Sequence, residues 1–181
     1  RGCQVWPLRW SLMSVLSDRA IALRQRNGQT WQPRNADNLE HGDVALIDAL
    51  ARSYNLATVH LGLDIGVQKV ERLVEALVPG ADVSPHPSLL LGATELTPLQ
   101  VAQAYQYLAA DGHLLPLSSV TAVIDRNGRA IARYHAPQRA GELVEAARLV
   151  SYAMQEGTRS GTGTALIGLG LGHLEIAGKT G

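Results

Sequence analysis

Two short stretches of this chain carry residue types that can do chemistry together. The first is Lys179-Thr180-Gly181. The chain has only two lysines, Lys69 and Lys179, and uses arginine for its other basic positions. A lone ammonium beside a hydroxyl and a position without a side chain can hold a carboxylate while a ligand backbone approaches closely. A chance Lys-Thr-Gly is expected on the order of 0.01 times in such a composition, so the triplet is read as a motif rather than as an edge strand blunted by a charge. The second stretch is Ser53-Tyr54-Asn55. Ser-x-Asn arises by chance roughly 0.3 times, and its plainer reading is an ordinary helix end, where Asn is common. At such an end, Ser53 and Asn55 can both aim polar groups into a cleft, which suits proton relay and amide recognition.

Other chemistries find less support. His41, His60, His86, His113, His135 and His173 stand too far apart for local ligand pairs, and Cys3 has no companion, so no metal and no cofactor are expected. Each histidine is read as a surface or loop residue. The Gly/Thr-rich run "GTRSGTGTALIG" (157–168) lacks the Gly-Lys-Ser/Thr ending of a phosphate loop and is read as a flexible connection in preference to a substrate-facing one.

The elements that must position these stretches are legible in part. Residues 1–20 show no period. Asn27-Gly28 lies between two strand-like segments and predicts a hairpin, as does Arg126-Asn127-Gly128. "GDVALIDALARS" (42–53) predicts a helix capped by Asp43 and running into Ser53. Helices are expected over 57–63, 67–78 and 142–155, with a Pro/Gly-broken loop at 78–88. The strongest helix signal is "LTPLQVAQAYQYLAADG", with Thr97 and Gln100 as a capping box, Pro98 in the first turn and Gly112 at the end. "HLEIAGKTG" (173–181) alternates as a strand. Helices and hairpins in this order predict an α+β domain and not a parallel βαβ array.

Charge is balanced, with 16 Lys plus Arg against 16 Asp plus Glu, so no net field favours nucleic acid or an anionic membrane surface. The apolar runs are far shorter than the ~20 residues that span a bilayer. Cys3 cannot form an internal disulfide.

"NGQTWQPRNADN", "LIDALARSYNLATVHLGLDIG", "LLLGATELTPLQVAQAYQYLAADG" and "HLEIAGKTG", with Ser-x-Asn and Lys-Thr-Gly in this order, resemble consecutive blocks of the class A penicillin-binding proteins, the bifunctional peptidoglycan synthases. The resemblance covers 21–181. It implies a partial penicillin-binding/serine β-lactamase-like transpeptidase fold, with helices packed on an antiparallel sheet and truncated at both ends. In such enzymes a serine attacks the D-Ala-D-Ala bond of a stem peptide and passes the acyl group to an amine, and β-lactams acylate the same serine. The resemblance implies that Ser53 relays a proton, Asn55 binds a substrate amide, Lys179 tunes the relay, Thr180 binds the terminal carboxylate and Gly181 keeps the strand open. It further implies stem peptides and β-lactams as ligands, a glycosyltransferase domain and membrane anchor in the parent protein, a homodimer and cell-wall machinery as partners, and the periplasmic face of the bacterial inner membrane as location.

The chain departs from the pattern: no serine has a lysine three positions later, so the nucleophile motif is missing. Expectations follow that this is a fragment, inactive by itself and prone to aggregate. Residues 1–20 resemble nothing in the family and are read as unassigned and as a candidate frameshifted, non-native segment. Two alternatives stay open: a D,D-carboxypeptidase or β-lactamase relative, and a non-catalytic penicillin-binding-fold module.

Overall fold

In the first twenty residues, where no period is visible, the chain already forms a strand. The computed structural model describes residues 9–25, 28–134, 141 and 143–180. Strand β1 (Val15–Asp18) pairs antiparallel with β4 (Gly42–Ala45), Val15 opposite Ala45 and Asp18 opposite Gly42. Between them lies the expected first hairpin, β2 (Leu23–Arg24) with β3 (Thr30–Trp31), in which Gly28 has φ +82°. Asn27 of its turn lies outside the described residues.

Pairing with β1 overturns one helix expectation. Residues 42–45 are recruited as strand, so the helix α1 (Leu46–Ala51) begins four residues late. Asp43 does not cap it; its carboxylate lies 3.5 Å from the Arg19 guanidinium. Helix α1 is followed by α2 (Asn55–Ile65) and α3 (Val67–Leu77). Both α1 and α2 pack on β1, and α2 also meets a 3-10 turn at Pro87–Leu91. The small core here consists of Leu16, Ala49 and Ala57, with Trp10, Val44, Leu46, Tyr54 and Leu61 packed around it.

The chain divides into two compact units. One comprises Arg1–Val70, Pro85–Ala93 and Tyr152–Gly181; the other comprises Glu71–Ser84 and Thr94–Ser151. The second unit contains α4 (Pro98–Ala109), whose capping box forms as expected: the Gln100 amide donates to Thr97 Oγ1 at 3.3 Å and the Thr97 amide donates to Gln100 Oε1 at 2.8 Å. The helix ends through Asp111 and Gly112, both at positive φ. A side chain at Gly112 would press on the Val144 backbone, so glycine is required there for space as well as for conformation. The second hairpin, β5 (Ala122–Ile124) with β6 (Ala130–Arg133), has Gly128 at φ +79° and Asp125 accepting from the amides of Asn127 and Arg129. The helix expected at 142–155 is α5 (Val144–Arg159), which continues a turn further; Glu142 lies outside the described residues. A one-turn helix α6 (Ala165–Gly168) follows.

The expected final strand is absent: residues 173–180 join no ladder with any described strand. The segment is held instead by the end of α5, where Thr158 Oγ1 donates to the Ile176 carbonyl at 2.6 Å.

The start of α2 is fixed from a distance. Tyr54, its N-cap, offers no side-chain acceptor, so the first free amides find partners elsewhere. The Leu56 amide donates to Asn35 Oδ1 at 3.2 Å, and the Ala57 amide donates to Asp18 Oδ1 at 2.9 Å. Asp18 is wholly buried and Asn35 nearly so. Asp18 Oδ2 also accepts from Asn35 Nδ2 at 2.7 Å, from the His41 amide at 3.1 Å and from His41 Nδ1 at 2.7 Å.

Candidate functional site

Helix α1 ends in a Schellman motif: the Ser53 amide donates to the Leu50 carbonyl and the Tyr54 amide to the Ala49 carbonyl. The residue between these bonds must adopt the left-handed conformation, a position usually taken by glycine. Here it is Ser53, at φ +59°. A serine retained where glycine is easier is local strain held in place by its surroundings, and such strain collects at functional sites.

Lys179, 126 residues away, reaches this hydroxyl. Its Nζ donates to Ser53 Oγ at 2.7 Å and to the Thr180 carbonyl at 2.7 Å. Partial burial disfavours the ammonium and holds the Lys179 pKa below its ordinary value. The Thr180 hydroxyl lies 2.7 Å from that of Thr162. Asn55 Nδ2 donates to the Arg34 carbonyl at 2.8 Å, which fixes the side chain and leaves its Oδ1 without a partner among the described residues. Lys179 is thus brought to Ser53 directly, Thr180 reaches it only through Lys179, and Asn55 stands two residues on at the first turn of α2. Gly181 lies outside the described residues.

The Gly/Thr-rich run expected as a flexible connection builds this site. Gly157 and Gly161, four residues apart, lie against the end of α1, and a side chain on Gly161 would collide with the Ala51 carbonyl. That carbonyl, one of the unpaired acceptors at the end of α1, accepts from the Thr162 amide at 3.2 Å. Close glycine packing therefore places Thr162 beside Thr180. The glycine spacing was the available signal; Thr162 itself carried none.

His41 is a loop histidine, as read from the sequence, but a partly buried and partnered one. It sits between Asp18 and Asp37, with Nε2 3.1 Å from Asp37 Oδ2, and its ring stacks on Tyr54 at 4.0 Å between centroids. An ammonium of lowered pKa in contact with a serine hydroxyl can pass a proton through that hydroxyl, while the neighbouring hydroxyls and amide offer hydrogen bonds to a carboxylate and a peptide.

The chain is similar to known proteins in the same terms. The family described as penicillin binding protein transpeptidase domain matches residues 20–181. Penicillin-binding protein 1B of Escherichia coli (strain K12) is 40% identical over 178 residues, covering 97% of this chain and 21% of the relative. Penicillin-binding protein 1B of Vibrio cholerae is 39% identical over 178 residues, covering 97% and 22%. The chain thus spans about a fifth of the length of these curated relatives. Among solved structures, penicillin-binding protein 1A from Haemophilus influenzae aligns with a TM-score of 0.73 at 20% identity, covering 85% of this chain and 28% of that one. The D,D-transpeptidase domain of peptidoglycan glycosyltransferase from Eggerthella lenta aligns with a TM-score of 0.71 at 19% identity, covering 94% and 48%. These structural likenesses establish the fold, helices with small antiparallel sheets. The Ser-x-Asn and Lys-Thr-Gly stretches, the fold and the family match agree, and the chain belongs to the penicillin-binding protein transpeptidase domain family.

Proposed function

We propose that this chain forms the Ser-x-Asn and Lys-Thr-Gly side of a peptidoglycan D,D-transpeptidase site. The observation that carries the reading is the 2.7 Å contact from Lys179 Nζ to Ser53 Oγ, which joins the two motifs. In this account a serine of a Ser-x-x-Lys motif elsewhere in the full-length protein gives its proton to the lysine of that motif and attacks the carbonyl carbon of a D-Ala-D-Ala bond. The C–N bond breaks, an acyl ester forms on the serine, and the departing D-Ala amine takes a proton delivered through Ser53 from Lys179. An amine of a second stem peptide then attacks the ester. The amine loses its proton to the same relay, the new amide forms, and the serine leaves, taking its proton back from the lysine of its own motif. Thr180 and Thr162 hold the terminal carboxylate of the donor, and Asn55 Oδ1 accepts from a substrate amide. A β-lactam enters the first half of this cycle and stays as the ester. Such a substrate sets the site at the periplasmic face of the inner membrane, in a parent protein with a membrane anchor and a glycosyltransferase domain.

The competing reading is a wall-peptide-binding module without chemistry. Intact-mass spectrometry of the full-length protein after exposure to penicillin separates the two. A single covalent adduct, mapped to a serine with lysine three positions later, is expected. An unmodified protein that still binds stem peptide would overturn the transpeptidase reading in favour of the module.

A further inference from the structure

Asp18 belongs to neither motif, yet it is a wholly buried carboxylate whose hydrogen bonds gather around the motif serine's segment. We propose that Asp18, Asn35 and His41 act together as positioning residues that fix the Ser53-Tyr54-Asn55 segment for proton relay. This rests on the transpeptidase reading above and adds residues outside its motifs.

Four consecutive residues are each held by this group or its immediate neighbour. The Tyr54 ring is stacked against His41, which Asp18 anchors through Nδ1. The Asn55 side chain is held by the carbonyl of Arg34, adjacent to Asn35. The Leu56 amide is held by Asn35 and the Ala57 amide by Asp18. Capping a helix needs far less: one Ser, Thr or Asp at the N-cap supplies an acceptor locally. Here that place is given to Tyr54. The capping groups come instead from 39 and 21 residues away, which ties the segment to β1 and to the loop at 34–41. Such ties also supply the surroundings that a left-handed Ser53 needs, because strain of this kind persists only where the structure over-determines it. A relay hydroxyl displaced by a fraction of an ångström loses its line to both Lys179 and the leaving amine.

The obvious variant, Asp18→Ala, removes acceptors from four donors and endangers the fold, so His41→Ala is the variant to use. In the full-length protein, labelling by a fluorescent penicillin is followed in time, giving both an amplitude and a limiting acylation rate constant. We expect His41→Ala to keep the wild-type amplitude while its rate constant falls about tenfold. His41→Asn keeps an N–H toward Asp18 and is expected to recover the rate to within about threefold of wild type. A merely structural role would lower the amplitude by removing folded protein and leave the rate constant of the remainder unchanged. His41→Ala acylating at the wild-type rate constant, at whatever amplitude, overturns the proposal alone. Failure of the wild-type protein to label, or a Ser53→Ala variant that labels at the wild-type rate, overturns the transpeptidase reading and this proposal with it.

Discussion

Ser53→Gly is expected to yield a protein that is more stable and nearly inactive. The two effects come from the same atoms. Ser53 occupies the left-handed position of a Schellman motif at φ +59°, where its Cβ crowds the backbone and glycine has none to crowd. Relief of that strain, less the greater chain entropy of unfolded glycine, is worth about 1 kcal/mol or somewhat less. A domain of this size should then unfold about 2–4 °C higher. Losing the hydroxyl also removes the group that Lys179 contacts at 2.7 Å, and with it the proton path. A positioned acid or base contributes about 10² to 10⁴ in rate, so acylation by labelled penicillin should slow by at least about a hundredfold. Thermal unfolding and labelling kinetics on the same preparation check both halves. A Ser53→Gly protein that labels at the wild-type rate would remove Ser53 from the relay, and one that unfolds lower would remove the strain argument.

Asp18→Ala should be the most damaging single substitution in the unit that holds the site. The carboxylate is fully buried and accepts from Asn35 Nδ2, His41 Nδ1, the His41 amide and the Ala57 amide. Truncation leaves these donors facing a void that is too enclosed to hydrate them well. Breaking a buried, charge-assisted cluster by removing one partner costs about 3–5 kcal/mol, because the remaining groups keep their desolvation penalty without their acceptor. That corresponds to a fall of about 10 °C in the unfolding midpoint. The loss should appear first as faster amide exchange at Leu56 and Ala57, whose protection depends on Asn35 and Asp18 rather than on the helix itself. An unfolding midpoint within about 2 °C of wild type would mean that water or a neighbouring donor takes over, contrary to this account.

The features that sequence reading found share a local origin. The capping box of α4 is written within four residues, Thr97 to Gln100, and forms with the expected bonds. Both hairpins form where Asn-Gly pairs predict them, and Lys-Thr-Gly stands out by residue type. The features it missed depend on distant partners. Strand β1 has no period of its own and exists because residues 42–45 pair with it, which also converts the expected first turn of α1 into strand and leaves Asp43 facing Arg19. Asp18, Asn35 and His41 become a cluster only when segments 17 and 23 residues apart meet. His41 is a loop histidine, and only its neighbours show that it is a partnered one. The alternation in residues 173–181 is genuine, but alternation makes a strand only where a partner pairs with it, and among the described residues the segment joins no ladder. The glycines at 157 and 161 read as looseness, whereas in the fold they permit close contact with the end of α1. Glycine signals freedom and close approach equally, and composition alone does not separate them.

The central claim is that Ser53 and Lys179 act as one proton relay, and a double-mutant cycle on the acylation rate of the full-length protein tests it most directly. Ser53→Ala and Lys179→Met should each slow acylation by about a hundredfold or more, and the double variant should be no slower than the worse single one to within about threefold, because groups acting as one unit lose their function once. Losses that multiply in the double variant, or either single variant acylating at the wild-type rate, would contradict the relay.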